Sequence, residues 1–278
     1  MAIIKDLDDR QLPLLDHLIE LRNRLMYSVA AIMVGFLICY FFSEHIYAFL
    51  VRPLAAVYQG QTGRRMIYTG LTEAFLTYVK VSFWAGTFLT FPFVAAQLWL
   101  FIAPGLYRNE KQAFLPFLVA TPVLFFMGAA MAYYVVFPLA WKFFVSFETP
   151  GGPGTLPIEL EARVGEYLSL VMKLLFAFGL AFELPVALTL MGRVGLITAE
   201  QLSKNRRFAI VGVFAVAAVI TPPDIISQIT LAIPILILYE ISIVAVRIVE
   251  RRRAEAATAE EAEEAAENTS RSDLDPGR

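Results

Sequence analysis

The nineteen residues after Arg24, "LMYSVAAIMVGFLICYFFS", carry no charge. A helix needs a run of about 20 such residues, each rising about 1.5 Å, to cross the hydrocarbon of a bilayer. No water is available there, so backbone donors and acceptors must pair inside the segment, which favours a helix. The run has company. Charged residues make up 17% of the 278-residue chain and hydrophobic ones 58%, whereas a soluble domain carries about 25% and 45–50%. The apolar excess falls into blocks separated by short charged segments, the pattern of a multi-span membrane protein.

The blocks predict six spans: Leu25 to Ser43, Ala74 to Ile102, Ala113 to Phe137, Glu166 to Met191, Phe208 to Ile220 and Ile225 to Val246. The last two are cramped. Sixteen uncharged residues separate Arg207 from Asp224, enough for a helix of about 24 Å against a hydrocarbon core of about 30 Å. Such short spans thin the bilayer or are shielded by protein.

Lysine and arginine in the connections set the orientation. One side holds Lys5, Arg10, Arg22, Arg24, Arg108, Lys111, Arg193, Lys204, Arg206, Arg207, Arg247 and Arg251 to Arg253. The other holds Arg52, Arg64, Arg65, Lys142 and Arg163. The excess puts both termini in the cytoplasm. Lys80 and Lys173, near the outer ends of two spans, can snorkel to the interface. No cleavage pattern follows the polar N-terminal segment, so the first span reads as an uncleaved anchor.

Prolines 92, 104, 116, 122, 138, 185 and 234 fall inside or at the ends of spans, where each removes a backbone hydrogen bond and can kink its helix. The expected fold class is an all-α membrane protein of six transmembrane helices. Several are proline-kinked, both termini are cytoplasmic, and the bundle is concave on one side. Residues 1–24 form an amphipathic cytoplasmic segment and 25–246 the spans. Residues 247–278 form an acidic tail, partly helical at its start and disordered beyond. The outer loops, roughly 44–73 and 138–165, are long, and the second contains the turn-rich "TPGGPGTLP".

Against this apolar background a few polar groups stand out. In "PLLDHLIELRNRL" the leucines at 14, 18, 21 and 25 form a stripe, with Glu20 lying off it. Glu20 can be the i,i+4 partner of Arg24, worth about 0.3–0.5 kcal/mol, or a docking point for a basic ligand. Glu110, in the cytoplasmic turn "GLYRNEKQ", can be a solvated turn charge or a second such point. Glu183 lies well inside the fourth span, where a carboxylate must be protonated, paired or facing a polar cavity. In "AVITPPDIISQ", Asp224 reads as the N-cap of the last span. Thr221 and Gln228 add polar groups near the outer ends of two helices, and Gln228 can bond a partner helix.

No catalytic constellation is present: no H-E-x-x-H, G-x-S-x-G or glycine-rich phosphate loop. Cys39 is the single cysteine, and His17 and His45 fall on opposite sides in this topology. No catalytic residue, metal site or cofactor is expected.

The segments "HLIELRNRL", "QLWLFIAPGLYRNEK", "FGLAFELPVAL" and "LITAEQLSKNRRFAIVGVFAVAAVITPPDIISQ" together resemble the TatC family, the large integral subunit of the twin-arginine protein translocase. The resemblance runs from about residue 14 to residue 248. It implies a receptor for signal peptides bearing consecutive arginines on folded cargo, and the lack of a transit-peptide pattern favours the cytoplasmic membrane of a bacterium or archaeon. It also implies transport driven by the proton-motive force. The implied partners are those signal peptides, small single-span TatA/TatB-like subunits, further copies of the chain and the lipid bilayer, with no nucleic acid. The family's signal-binding carboxylates fall on Glu20 and Glu110, and Arg22, Pro53 and Phe101 match other positions tied to function. Glu183 matches the acid of the fourth span, and Thr221, Asp224 and Gln228 match the region where partner helices dock. The outer loop "ETPGGPGTLPIELEARVG", the tail and Lys173 match no family motif. By composition alone, a secondary transporter using Glu183 and a membrane scaffold remain open.

Overall fold

Helix is the dominant structure of the chain in its computed structural model. The model describes the backbone of residues 2–58, 63–106, 111–220 and 225–273, and side chains at 15–58, 63–101, 117–220, 225, 228–255 and 258. The elements are α1 (Ala2–Phe41), α2 (Ser43–Val57), α3 (Glu73–Leu106), α4 (Lys111–Met131), a π-helical turn (Ala132–Val136), α5 (Phe137–Val145), α6 (Val164–Phe182), α7 (Leu184–Arg193), α8 (Ala199–Lys204), α9 (Arg206–Ile220) and α10 (Ile225–Asp273). Among the described residues, β-pairing is limited to isolated bridges in the loops that follow α2 and α5.

Five stretches are long and apolar enough to cross a membrane: Leu15–Phe41, Glu73–Phe101, Phe117–Val145, Val164–Arg193 and Gln228–Glu255. Helix α9 has 15 residues and rises about 22 Å, which is short for a span. Three boundaries differ from the sequence reading. The third apolar stretch continues through Pro138 to Val145. Helix α2 occupies much of what reads as the first outer loop. Helix α10 continues to Asp273, through the tail read as largely disordered. The alanine- and glutamate-rich tail has high helix propensity, and Arg251 Nε donates to Glu255 Oε1 at 2.8 Å one turn on.

Prolines account for several local irregularities. Pro138 has no N–H to offer the carbonyl one turn earlier, and the preceding residues pair in the wider π register, with the Phe137 N–H donating to Ala132 O. Pro53 likewise leaves the Phe49 carbonyl without its helical donor, and the Tyr133 hydroxyl donates to that oxygen at 2.7 Å. The neighbouring Leu50 carbonyl accepts from Tyr167 at 3.0 Å. Helix α6 ends and α7 begins around Glu183, with Pro185 in the first turn of α7. Helix α7 ends at Arg193, and the chain turns two residues on at Gly195, whose φ of 76° is costly for a side-chain-bearing residue. Thr198 and Gln201 then form a reciprocal capping box that starts α8.

Packing follows the small residues. A Cβ on Gly86 of α3 would lie 2.4 Å from the Phe36 backbone nitrogen of α1, so the two helices touch backbone to backbone there. Helices α4 and α6 interlock similarly, with Phe125 against Gly179 and Phe182 against Gly128. The core joins Leu50 and Leu54 of α2 to Val81, Phe137, Trp141, Leu168, Val171 and Phe178. On α1, Leu25, Val29, Met33 and Leu37 remain exposed, the expected state for a helix whose outer surface meets lipid.

Beyond the helices, the loops that follow α2 and α5 are tied together. Glu148 accepts from Arg64 Nη1 at 2.9 Å and Nη2 at 2.5 Å, and from the Leu160 backbone N–H at 2.9 Å. Arg64 also lies over the Tyr58 ring, 4.9 Å from its centroid. Burial, and then the nearby Glu148 carboxylate, push the Tyr58 hydroxyl above its usual pKa range. Ile67 exchanges backbone hydrogen bonds with Ala162 and Val164 at 3.0 and 2.9 Å, and Arg163 donates to the Thr69 hydroxyl.

Candidate functional site

Glu20 lies on α1 where that helix crosses α3. Its Oε1 accepts two charge-assisted hydrogen bonds from Arg24, Nε at 2.9 Å and Nη2 at 2.6 Å. The i,i+4 spacing brings the two side chains together on one helix face. The remaining Arg24 arm, Nη1, reaches Gln97 Oε1 of α3 at 3.4 Å. The other carboxylate oxygen, Oε2, has His17 Nδ1 3.9 Å away, beyond hydrogen-bond reach. The imidazole of His17 stacks on Phe101 of α3, with ring centroids 4.3 Å apart and planes 14° from parallel. Two helices therefore hold one carboxylate, one of whose oxygens is spent. The side chain of Glu20 keeps 34% exposure, so a ligand can reach it.

Of the residues expected at this site, Glu20 and Phe101 are brought together through His17. Arg22 is near in sequence but turns aside: its guanidinium donates to Asn23 Oδ1 at 3.4 and 3.2 Å. Pro53 is not beside Glu20. Helix α1 puts about 30 Å of rise between Glu20 and Phe41, and α2 begins only after that end. Pro53 is buried within α2, next to the Phe49 and Leu50 carbonyls that accept from Tyr133 and Tyr167. Glu110 lies outside the described residues, as do Thr221 and Asp224.

Glu183 faces the protein interior. The Thr121 hydroxyl stands near its carboxyl and accepts from Trp99 Nε1 at 2.9 Å. Trp99 of α3, Thr121 of α4 and Glu183 between α6 and α7 thus bring three polar side chains close together. Glu183 Oε1 is buried without a hydrogen-bond partner among the described residues. Gln228, expected to face a partner helix, donates to the Phe214 carbonyl of α9 at 3.0 Å. It thus ties the short α9 to α10 within the chain.

The sequence reading passed over three groups. His17 stands three residues before Glu20 and thus on the same helix face. Gln97 is a lone polar residue in an apolar run, the same signal that singled out Gln228. Glu240, in "ILILYEISIV", is an acid inside the last apolar stretch, as conspicuous as Glu183. It accepts from Arg206 Nη2 at 2.7 Å.

A family profile described as "Sec-independent protein translocase protein (TatC)" matches residues 16–234. The chain belongs to the TatC family. The TatC protein of Magnetococcus marinus is 54% identical over 260 residues, covering 94% of this chain and 93% of the relative. That of Escherichia coli K12 is 40% identical over 231 residues, covering 83% and 86%. A solved structure titled "Crystal Structure of Twin Arginine Translocase Receptor- TatC" superposes with a TM-score of 0.72 at 37% identity, covering 84% of this chain and 99% of the other. The resemblance drawn from four sequence segments is thus the family of the whole helical region. Membership in TatC makes the chain a twin-arginine translocase subunit, a transport component rather than a catalyst, and its apolar helices make it a multi-pass membrane protein.

Proposed function

We propose that the chain is the twin-arginine signal-peptide receptor and core subunit of a translocase that exports folded proteins across the cytoplasmic membrane, driven by the proton-motive force. The observation that carries this reading is the half-satisfied Glu20. An acceptor oxygen with its neighbour already anchored suits a guanidinium N–H, whose donors have fixed directions. Glu110 is the second carboxylate in this reading, so that two arginines meet two acids. Arg22 and Phe101 support the site, Phe101 by holding His17 of α1 against α3. Pro53 acts through the docking of α2.

Affinity requires more than ion pairs. Exposed pairs supply about 0–1 kcal/mol each, whereas micromolar binding needs about 8 kcal/mol. The apolar segment of the signal supplies the rest against the concave side of the bundle. An apolar cavity of about 420 Å³, lined by Trp84, Phe88, Phe126, Tyr133 and Phe176, suits such a segment.

The proposed topology has six spans, with α9 as the short fifth, and both termini in the cytoplasm. An even number of crossings returns the chain to its starting side, in keeping with the arginine and lysine distribution. TatA/TatB-like subunits dock near Thr221, Asp224 and Gln228, and Glu183 provides an intramembrane polar contact. Copies of the chain associate within the receptor complex.

The test is complementation. Cells lacking their own family member receive this chain and a folded fluorescent reporter behind an Arg-Arg signal. Export of the Arg-Arg reporter with failure of a Lys-Lys version is the expected result. Export indifferent to the arginine pair contradicts the receptor reading.

A further inference from the structure

Arg24 engages Glu20 in an unusual way for a helix-surface pair. Both donors, Nε and Nη2, converge on the single oxygen Oε1 at 2.9 and 2.6 Å. The third arm, Nη1, points to Gln97 Oε1 on α3 at 3.4 Å. Arg24 is also the more enclosed partner, with 23% side-chain exposure against 34% for Glu20. The guanidinium is therefore braced from the bundle side, and the carboxylate stands outward of it. Across from it, His17 is held by its stack on Phe101 and stops 3.9 Å from Oε2.

We propose that Arg24, braced by Gln97, is a positioning and specificity-determining residue: it fixes the Glu20 carboxylate through Oε1 and leaves Oε2 as the acceptor for the incoming signal guanidinium. The proposal rests on the reading of Glu20 as a signal-binding carboxylate.

The chemistry explains a preference for arginine over lysine. A bare carboxylate offers net negative charge, which an ammonium satisfies as a point charge. Paired with Arg24, Glu20 is locally neutralised, and what remains is the single oxygen Oε2, whose two lone pairs have a fixed direction. A guanidinium matches that direction with one N–H and keeps other donors for a second acceptor. A lysine ammonium, strongly hydrated and compact, gains less from direction and loses more with the net charge.

The sign of the effect makes the test decisive. Coulomb attraction alone predicts that removing the Arg24 charge strengthens binding of any cationic peptide. The positioning role predicts weaker binding of the Arg-Arg peptide. Binding of labelled Arg-Arg and Lys-Lys signal peptides is measured by fluorescence anisotropy on the full chain in nanodiscs, for wild type, Arg24→Gln, Arg24→Lys, Gln97→Ala and Glu20→Ala. Arg24→Gln is expected to weaken Arg-Arg binding about fivefold while Lys-Lys binding stays level or rises, so discrimination falls. Arg24→Lys, which keeps the charge and loses the fork, is expected to weaken Arg-Arg binding as well. Gln97→Ala, which changes no charge, is expected to shift discrimination the same way by about twofold to threefold.

Tighter Arg-Arg binding in Arg24→Gln makes Arg24 a competitor and overturns the proposal. Unchanged discrimination in both Arg24→Gln and Gln97→Ala overturns it too, as does equal weakening of both peptides, the mark of a merely structural role. If Glu20→Ala itself leaves Arg-Arg binding intact, the receptor reading falls and this proposal with it. If Glu20→Ala abolishes binding and the Arg24 and Gln97 variants match wild type, only this proposal falls.

Discussion

Glu20 and Glu148 stand toward opposite ends of the bundle, and each meets an arginine. Glu148 spends both oxygens, on Arg64 Nη1 and Nη2 and on the Leu160 N–H, and its side chain is 13% exposed. Glu20 spends one oxygen, on Arg24, and is 34% exposed. The first acid is satisfied by its own fold and joins two loops that are distant in sequence. The second is bonded one turn along its own helix and keeps acceptor capacity. The residue types match, and the lone-pair accounting separates a staple from a binding group. A closed set of partners fixes structure, and an open one invites a ligand.

Four perturbations break or sharpen this contrast. The largest effect is expected at Gly86→Leu. A side chain there meets the α1 backbone, and overpacking costs about 3 kcal/mol. It forces α1 from α3, separating Glu20 and Arg24 from Gln97 while sparing the Glu148 staple. Thermal unfolding in nanodiscs should show the loss, and signal-peptide binding should fall with it. Glu148→Ala comes next. The pair lies between an exposed one and a buried one, so its loss costs about 2 kcal/mol. Melting should drop while peptide affinity holds.

Glu20→Ala should leave melting nearly unchanged, since an exposed i,i+4 pair contributes about 0.3–0.5 kcal/mol. A large melting shift there would erase the contrast. The smallest effect concerns pH. The Tyr58 pKa is raised in the fold, so folding favours its protonated form. That contribution is complete below the ordinary phenol range and is lost as pH rises through the raised value. Melting of wild type should therefore fall slightly more between pH 9 and pH 11, roughly the phenol range, than melting of Tyr58→Phe.

Much of this molecule was legible in its sequence, and the residues explain which parts. Uncharged runs mark the five long apolar stretches, because the bilayer imposes one physical requirement on each segment. Boundaries were harder. At Pro138 the sequence suggested an end, but a π register satisfies the displaced carbonyls and the helix continues. The tail's charge suggested disorder, but alanine and glutamate propensity extends α10 to Asp273. Glu20 and Phe101 were found through motifs. That they meet by way of His17, and that Gln97 braces Arg24, depends on how α1 lies against α3. A contact between helices separated by most of a hundred residues has no local signature. Pro53, which the resemblance groups with Glu20 and Phe101, is buried in α2, where the carbonyl it frees is met by Tyr133.

The most direct measurement of the central claim is the affinity of an Arg-Arg signal peptide for the full chain in nanodiscs, compared between Glu20→Ala and Glu148→Ala. Because Glu20→Ala removes the acceptor and also leaves the Arg24 charge facing the signal, the account predicts a loss of about 2 kcal/mol, roughly thirtyfold, with wild-type affinity for Glu148→Ala at a temperature where both are folded. Equal affinities for the two variants would contradict it, because the open oxygen of Glu20 would then have no more to do with the signal than the closed set around Glu148.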